Sequence, residues 1–172
     1  RQWISACLHS ATISILVNGS PTKEIVPSRG LRQGDPLAPM LFNIVAEGLT
    51  GMMREAVNKN LYRSFLSGKQ NEPINILQYA DDTVFVGEAS WDNILVLKSM
   101  LRGFEMVSGL RINYAKSQFG VVGFQANWAQ QAAQFLNCRQ LDTPFYYLGM
   151  PIAVKASSMV VWEPLLNKFQ AK

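Results

Sequence analysis

The sequence of 172 residues predicts an α+β fold, in which β-hairpins and amphipathic helices alternate along one main domain. Three observations lead to this prediction. Strand-like runs flank turn residues at Asn18-Gly19 and at Asp81-Asp82. Apolar residues recur at helical spacing after Pro36 and again after Ser90. The composition is 48% hydrophobic, which is enough for one domain with a substantial core.

The composition narrows the classes of function. A net charge of +4 is compatible with a polyanionic partner. Two cysteines far apart and a single histidine argue against a zinc site and favour a reducing compartment. No apolar run approaches the roughly 20 residues that span a bilayer. We therefore expect no membrane partner and an intracellular location, in cytoplasm and nucleus.

The first thirty residues predict the end of a helix and a hairpin. The chain begins at Arg1 and runs directly into Trp3–Leu8, which is typical of the end of a helix, so we expect a fragment of a longer polypeptide. Residues 12–17 and 22–26 are β-rich, and Asn18-Gly19 between them is a strong hairpin signal. A purely structural role is favoured for this hairpin.

A long helix is predicted from Pro36 to about Val57. Asp35 is a good N-cap, and Pro36 is a natural first helical residue. The apolar stripe of this helix is expected in the core and comprises Leu37, Met40, Leu41, Ile44, Val45, Leu49, Met52 and Met53.

The loop before this helix has two interpretations that the residues leave open. Gly30 and Gly34 allow a backbone to approach a ligand closely. Arg32 and Gln33 lie beside a helix N-terminus, where backbone N–H groups attract phosphate. The alternative is an ordinary glycine-rich loop with solvated arginines.

The centre of the sequence is the acidic pair Asp81-Asp82. Strand-like runs at 74–77 and 84–87 flank the pair, so both acids are expected at the tip of a hairpin. Adjacent like charges are costly unless they are solvated or bound to a cation, and carboxylate oxygens suit Mg²⁺. The alternative is a solvated turn, which the apolar flanks weaken. Because neighbouring strand side chains point to opposite faces, we expect Asp81 to be the principal ligand.

The next elements are a connection and a second helix. Residues 58–73 are polar and predict a surface connection. Ser90 is expected to cap a helix that ends near Gly109. The buried face of this helix is predicted to comprise Ile94, Leu97, Met100, Leu101, Phe104 and Val107.

The last third of the chain predicts further short elements. Residues 110–114 alternate like a strand, 118–122 form another β-like run, and 127–137 form a short helix. Taken alone, Lys116 is interpreted as a solvated surface lysine. The aromatic cluster at 145–152 predicts a strand and a tight turn, which either packs internally or forms a platform for nucleic acid. A final helix is expected from about Ser158.

Four motifs in this order resemble those of reverse transcriptases. They are RGLRQGDPLAP at 29–39, YADD at 79–82, GLRINYAKS at 109–117 and YLGMP at 147–151. The segments VNGSPT at 17–22 and AEGL at 46–49 are similar to LINE-type, non-LTR retrotransposons of plants. The resemblance covers essentially the whole chain. One departure is Ala38, where the family more often has serine.

The resemblance implies a polymerase palm, in which helices pack on an antiparallel sheet. Residues 1–144 would form this palm, incomplete at its N-terminus, and residues 145–172 would form the primer-grip segment and the start of the thumb or connection. The family's fingers and its block with a third metal-binding aspartate are expected before Arg1.

The resemblance also implies a role for each matching residue. Asp81 and Asp82 match the metal-binding acids, and Lys116 matches a lysine near the incoming triphosphate, so these three are the expected catalytic residues. The residues expected to bind nucleotide and template are Arg32, Gln33, Gly34, Tyr79 and Ala80. The expected primer grip comprises Leu148, Gly149 and Met150.

The activity implied is RNA-directed DNA polymerisation with two Mg²⁺ ions, for which Mn²⁺ is a potential substitute. Expected partners are an RNA template, a DNA primer, deoxynucleoside triphosphates and the remainder of a parent polyprotein. The isolated chain is expected to be inactive. One alternative is a decayed or repurposed relic that binds nucleic acid without chemistry. Another is a group II intron maturase-like reverse transcriptase, although Trp162-Glu163-Pro164 and VNGSPT favour the plant LINE pattern.

Overall fold

A computed structural model of the protein describes residues 2–10, 12–27, 34–123, 126–141, 145–152, 162–163, 166–167 and 169. Short hairpins alternate with helices along the described chain, as the sequence predicts. The elements are α1 Gln2–His9, β1 Leu16–Val17, β2 Ser20–Pro21, α2 Ala38–Asn58, β3 Phe65–Ser67, β4 Glu72–Ile74, β5 Ile76–Tyr79, β6 Asp82–Phe85, α3 Trp91–Ser108, β7 Gln118–Phe119, α4 Ala126–Leu136, β8 Arg139–Gln140, β9 Phe145–Tyr147 and β10 Met150–Ile152.

The strands form pairs, and within the described ranges no sheet contains more than two of them. Consecutive strands pair in antiparallel fashion in β1–β2, β3–β4, β5–β6 and β9–β10, whereas β7 and β8 are parallel. A single bridge between Ser64 and Gly87 connects the β3–β4 hairpin to the end of β6. The predicted mixture of helices and antiparallel pairs is therefore present, as small separate sheets.

The core lies where α2, α3 and α4 meet. Ile76 and Phe85 of the β5–β6 hairpin pack against it, as do Leu110, Ile112 and Tyr114 after α3. Burial of this apolar surface is the main force that holds the helices together. The buried members of the cluster are Leu49, Met53, Ala56, Tyr62, Ile94, Leu97, Met100, Leu101, Phe104, Ala132 and Leu136.

Aromatic side chains fix α4 against α3. The rings of Trp91 and Trp128 meet edge to face, with their centroids 5.7 Å apart. The ammonium of Lys98 lies 3.9 Å from the centre of the Phe135 ring and also donates to the Phe135 carbonyl oxygen. A cation near the C-terminal carbonyls of α4 complements the helix dipole.

Helix α2 begins two residues later than predicted. Leu37, rather than Asp35, is its N-cap residue. The Asp35 side chain instead closes a turn before the helix, because its Oδ1 accepts a hydrogen bond from the Leu37 N–H at 2.7 Å. The helix has 21 residues, which corresponds to about 31 Å.

The predicted apolar stripe of α2 is buried only in its second half. Leu49 and Met53 are in the core, whereas Leu37, Met40 and Ile44 are exposed, so their assignment to the core was wrong. The core cluster reaches back along α2 only to Val45. A periodic pattern identifies an apolar face, but it does not show which part of that face meets a neighbour.

Helix α3 matches its predicted ends. The Ser90 Oγ accepts a hydrogen bond from the Asn93 N–H at 3.2 Å, and Gly109 adopts the left-handed conformation with φ 73°. Val107 was predicted to be buried but is 88% exposed. The last turn of α3 extends beyond the core, which ends at Phe104 on this helix.

Two connections differ from their predictions. The segment 58–73 contains the β3–β4 hairpin, which its polar composition concealed. Residues 110–114 were predicted as a strand but pair with no strand among the residues that the structure describes. The Ile112 N–H donates instead to the Glu105 carboxylate, at 2.9 Å.

The other short elements agree with the sequence only in part. Asn18 and Gly19 both have positive φ in the predicted turn, but the paired strands are only Leu16–Val17 and Ser20–Pro21, so the second strand precedes its predicted range of 22–26. Helix α4 begins and ends one residue earlier than predicted. No described helix has the length and apolar character needed to cross a bilayer. Most of the helix predicted from Ser158 lies outside the described residues.

Candidate active site

The acidic hairpin, β5–β6, places Asp81 and Asp82 at its tip, as predicted. Tyr79 pairs with Asp82 in the last rung of the ladder, so Ala80 and Asp81 form a two-residue turn. Ala80 has a φ of 51°, which favours glycine over alanine. The backbone at the tip is therefore held in a conformation that residues with a side chain adopt at a cost.

The two faces of the acidic hairpin have different surroundings. The pairs Ile76–Phe85 and Gln78–Thr83 lie on the face that meets the helices. The Gln78 Oε1 accepts a hydrogen bond of 2.9 Å from the Thr50 hydroxyl of α2. Because side chains alternate along a strand, Tyr79 and Asp82 lie on the opposite face, and the Tyr79 side chain is 64% exposed.

A buried asparagine fixes the base of the acidic hairpin. The Asn93 Oδ1 accepts from the Arg63 N–H at 2.8 Å, and its Nδ2 donates to the Arg63 and Glu88 carbonyl oxygens at 2.8 and 3.0 Å. These bonds connect α3 to the chain that enters β3 and to the chain that leaves β6. A buried amide with all these partners specifies one arrangement of the three segments.

Gly87 allows these segments to approach closely. A Cβ atom at this position would lie 2.5 Å from the Tyr62 hydroxyl oxygen and 2.8 Å from the Arg63 carbonyl oxygen. Glycine is therefore required by packing, because a methyl group at such distances overlaps both atoms. The acidic tip is consequently built on a rigid base, although the tip itself is exposed.

Both acids at the tip are solvent-exposed. Within the described part of the chain, neither carboxylate has a hydrogen bond or an ion pair, and no three His, Cys, Asp or Glu side chains are close enough to share a metal ion. Mg²⁺ is typically held by one or two carboxylates, with water and substrate phosphates as its other ligands. Two adjacent carboxylates without protein partners fit that donor set.

Lys116 lies in an irregular loop, residues 110–116, that starts from the end of α3. The Asn113 Oδ1 accepts from the Lys116 N–H at 3.1 Å, and the Asn113 carbonyl oxygen accepts from it at 3.0 Å. The Lys116 side chain is exposed, and the described residues provide it with no hydrogen bond or ion pair to the acidic hairpin. Loop and hairpin are anchored separately on the same core.

Sequence reasoning missed Glu105. Its Oε1 accepts from the Ile112 N–H, and its Oε2 accepts from Arg102 at 3.0 Å. The Ile112 hydrogen bond, followed by that of Arg102, lowers the pKa of the Glu105 carboxyl below its ordinary value. A signal was available in the sequence, since a carboxylate in the last turn of a helix opposes the dipole and needs another partner.

The other expected site residues lie apart from the core. Leu148 and Gly149 form the β9–β10 turn, with φ 51° and 81°, and Met150 pairs with Tyr147. None of these residues belongs to the described core cluster. Gly34, which precedes α2, has a φ of 88°, a conformation that favours glycine. Arg32 and Gln33 lie outside the described residues.

The exposed acidic turn, on a hairpin supported by packed helices, is a candidate cation-binding site. Residues 1–152 match the family described as reverse transcriptase (RNA-dependent DNA polymerase), and the chain belongs to this family. The resemblance predicted from the motifs is thereby confirmed.

Three curated relatives refine this assignment. An uncharacterized mitochondrial protein of Arabidopsis thaliana is 43% identical over 68 residues, which is 40% of this chain and 56% of that protein. The retrovirus-related Pol polyprotein from retrotransposable element R2DM of Drosophila melanogaster is 29% identical over 132 residues, 77% of this chain and 11% of the polyprotein. The corresponding polyprotein from element R2 of Popillia japonica is 32% identical over 120 residues, 67% of this chain and 15% of the polyprotein.

The chain is thus similar to the reverse transcriptase domain of non-LTR elements. It spans about half the length of the first relative and a small part of the two polyproteins.

Proposed function

We propose that this chain forms part of the palm of an RNA-directed DNA polymerase of a non-LTR retrotransposon. In the reaction, the 3′-hydroxyl of a DNA primer attacks the α-phosphate of a deoxynucleoside triphosphate that is paired with an RNA template. A phosphodiester bond forms, and pyrophosphate leaves. The observation that carries the proposal is the pair of exposed, unpartnered carboxylates on a rigid hairpin in a chain of this family.

Asp81 and Asp82 are proposed to hold two Mg²⁺ ions, with Mn²⁺ as a substitute. When bound, the ions would lower the pKa of the attacking hydroxyl and neutralise charge on the leaving oxygen. The hairpin keeps the two carboxylates adjacent, and the Thr50–Gln78 hydrogen bond keeps the hairpin seated on α2. A site held in this way changes the positions of its side chains little when charged ligands bind.

The remaining residues are assigned to binding. Tyr79 and Ala80 would lie against the primer end, and Lys116 would contact the triphosphate. Arg32, Gln33 and Gly34 would line the nucleotide and template side, and the turn at Leu148, Gly149 and Met150 would grip the primer. The exposed Tyr79 ring is suited to contact a base or a sugar.

The domain arrangement belongs to the same proposal. Residues 1–144 would form the palm, and 145–172 the primer grip with the start of the thumb. The separate β9–β10 hairpin supports a boundary near residue 145. The parent protein would act in cytoplasm and nucleus as part of a Pol polyprotein, since the R2 relatives are Pol polyproteins.

The chain by itself is proposed to be inactive. The hairpin supplies two carboxylates, and the described residues offer no third protein ligand beside them. Two metal ions need bridging carboxylates that hold both ions about 4 Å apart. The missing ligand would come from another part of the parent polyprotein.

Primer extension on an RNA template tests the proposal. The polyprotein that contains this chain would be compared with its Asp81→Asn and Asp82→Asn variants in Mg²⁺, and Asp92→Asn provides an exposed acid on α3 as the matched control. We expect synthesis in the wild type and in Asp92→Asn, and a loss of more than about a hundredfold in the two hairpin variants.

Other outcomes of these assays would contradict the proposal or favour the alternative. Synthesis that persists in both hairpin variants would overturn the proposal. Template binding without synthesis in the wild type would favour a relic that binds nucleic acid. The 172-residue chain alone is expected to give no product, and robust synthesis by that chain would refute its assignment as an incomplete catalyst.

A further inference from the structure

We propose that Glu105 is a positioning residue for Lys116, which holds the 110–116 loop in the one conformation that presents the lysine to its ligand. The proposal rests on the proposed function, in which Lys116 contacts the triphosphate of the incoming nucleotide. It assigns a role in nucleotide binding to a side chain outside the motifs identified in the sequence.

The loop has no regular structure to hold it. Residues 110–113 pair with no strand in the described chain, and residues 114–116 form a turn. A lysine on an unrestrained loop would lose much conformational entropy on each binding event. A side chain that orders the loop in advance removes that cost from the binding step.

Glu105 supplies this restraint through both of its oxygens. Its Oε1 accepts from the Ile112 N–H at 2.9 Å, and its Oε2 accepts from the Arg102 guanidinium at 3.0 Å. The Glu105 side chain is 13% exposed, whereas that of Arg102 is 69% exposed. The carboxylate is therefore sheltered, and hydrogen bonds to a sheltered charge are stronger than those between neutral groups.

A short path of hydrogen bonds runs from Glu105 to Lys116. Ile112 is bonded to Glu105, and its neighbour Asn113 accepts the Lys116 N–H with both its side-chain and its carbonyl oxygen. The Ser117 hydroxyl also donates to the Asn113 carbonyl oxygen, at 2.9 Å. Movement of Ile112 would thus displace the turn that carries Lys116.

Apolar contacts orient the loop, and hydrogen bonds hold its two ends, because the Leu110 N–H donates to the Ser108 Oγ and the Arg139 N–H donates to the Ser117 carbonyl oxygen. Glu105 restrains the middle of the loop, at Ile112. Leu110, Ile112 and Tyr114 pack against the core cluster. Such contacts are non-directional, so they do not by themselves fix the register of the backbone. The charged and titratable groups around the Glu105 carboxylate are Arg102, Arg111 and Tyr114, and Arg102 is the one that hydrogen-bonds to it.

Hydrogen exchange tests the restraint without any activity. In the 172-residue chain, Glu105→Ala is expected to speed exchange of the hydrogen-bonded amides of Ile112, Tyr114 and Lys116 by about tenfold or more, because the charge-assisted bond that orders the loop is lost. Glu105→Gln should give a smaller effect, since its amide oxygen can still accept from Ile112. Glu55→Ala, which removes an exposed glutamate paired with Lys59 on α2, is the matched control. Unchanged exchange in the loop of Glu105→Ala would overturn the proposal.

A double-mutant cycle in the active polyprotein tests whether Glu105 acts through Lys116. We expect Glu105→Ala to raise the KM for the deoxynucleoside triphosphate by about tenfold and to leave the KM for primer–template unchanged. In a Lys116→Ala background the same substitution should have no further effect on the nucleotide KM. Additive effects, or equal changes in both KM values, would reduce Glu105 to a general structural role and overturn the proposal.

The two proposals fail in distinguishable ways. Synthesis that does not depend on Asp81 and Asp82 contradicts the proposed function, whatever Glu105 does. Unaltered loop exchange in Glu105→Ala, or additivity with Lys116→Ala, contradicts the positioning role and leaves the metal site intact.

Discussion

Tyr79 and Asp82 are direct cross-strand partners in the last rung of the acidic hairpin, and both lie on its exposed face. The phenol ring and the carboxylate therefore border the same surface, on either side of the two-residue turn. This relationship places an aromatic platform beside an acid that is available to a metal ion. Asp81 lies in the turn itself and is also exposed.

Removal of the Tyr79 ring should weaken primer–template binding. Stacking of a base on an aromatic side chain is worth about 1–3 kcal/mol, so Tyr79→Ala should raise the KM for primer–template by about tenfold. Tyr79→Phe keeps the ring and should retain nearly wild-type values in the same primer-extension assay. If the alanine variant also binds primer–template normally, the exposed face of the hairpin does not contact nucleic acid.

Ala80 should be a position where glycine is better tolerated than alanine. Its φ of 51° costs an L-residue about 1 kcal/mol or more, which glycine avoids. We expect Ala80→Gly to raise the free energy of unfolding in urea by about 0.5 kcal/mol, after the greater entropy of glycine in the unfolded chain is subtracted. Ala115→Gly, at an exposed turn position without positive φ, should lower the free energy of unfolding. Equal effects at both positions would show that the turn is not strained.

Gly87 should not tolerate even a methyl group. The Cβ of alanine would overlap the Tyr62 hydroxyl and the Arg63 carbonyl, so Gly87→Ala should destabilise the chain by about 1–3 kcal/mol. Gly51 in α2 is the matched control, because a Cβ there meets no atom within 4 Å. Gly51→Ala should stabilise by up to about 1 kcal/mol through helix propensity. Chemical denaturation measures both, and a stable Gly87→Ala would refute the tight packing at the hairpin base.

Loss of the Asn93 amide should loosen the base of the acidic hairpin. Asn93→Ala leaves the Arg63 N–H without its acceptor, which should cost about 1–3 kcal/mol in the free energy of unfolding. The Arg63 carbonyl keeps a second donor, the Glu88 N–H at 3.1 Å, so the hairpin should remain formed. Asn127→Ala at an exposed site of α4 should change stability by less than about 0.5 kcal/mol. A similarly small effect of Asn93→Ala on the free energy of unfolding would show that the Asn93 amide does not fix the base of the hairpin.

Tyr62 should make the protein sensitive to alkali. Burial raises the pKa of its hydroxyl from 10.0 to about 12. The unfolded chain releases this proton above about pH 10, whereas the folded chain retains it, so stability falls as the pH rises from 10 to 12. The loss should reach about 2–3 kcal/mol. Tyr62→Phe should lack this component in urea titrations at each pH, and Tyr146→Phe, at an exposed ring, should keep it. If the stability of the wild type and of Tyr62→Phe falls in parallel as the pH rises, the buried Tyr62 hydroxyl is not the cause of the sensitivity to alkali.

Features governed by neighbouring residues were predictable from the sequence. Ser90 and Gly109 define the ends of α3 by local hydrogen bonding and backbone conformation, and Asn18-Gly19 defines its hairpin in the same way. The acidic hairpin was predictable because apolar runs flank two charges. The local pattern indicated a cation site at Asp81 and Asp82, and only the family motifs implied nucleotidyl transfer there.

Features that depend on distant partners were not predictable. Met40 and Val107 continue an apolar pattern, but whether such residues are buried depends on what packs against them. Residues 110–114 alternate like a strand, yet the Ile112 N–H bonds to Glu105 seven residues earlier. The parallel pairing of Gln118 with Arg139 was missed because no strand was predicted at 139–140, although a helix such as α4 is the usual connection between parallel strands.

Every antiparallel pair in the described chain joins strands that follow each other directly, and this has a consequence for synthesis on the ribosome. Hairpins with short turns close quickly, because little chain entropy is lost. The strands that carry Tyr79 and Asp82 can therefore meet as soon as both have left the exit tunnel. The hydrogen bond between Thr50 of α2 and Gln78 can form at that stage, but the base of the hairpin must wait for α3, whose Asn93 is translated later and bonds to Arg63 and Glu88. We expect the acidic tip to form before the hydrogen bonds at the base of the hairpin do.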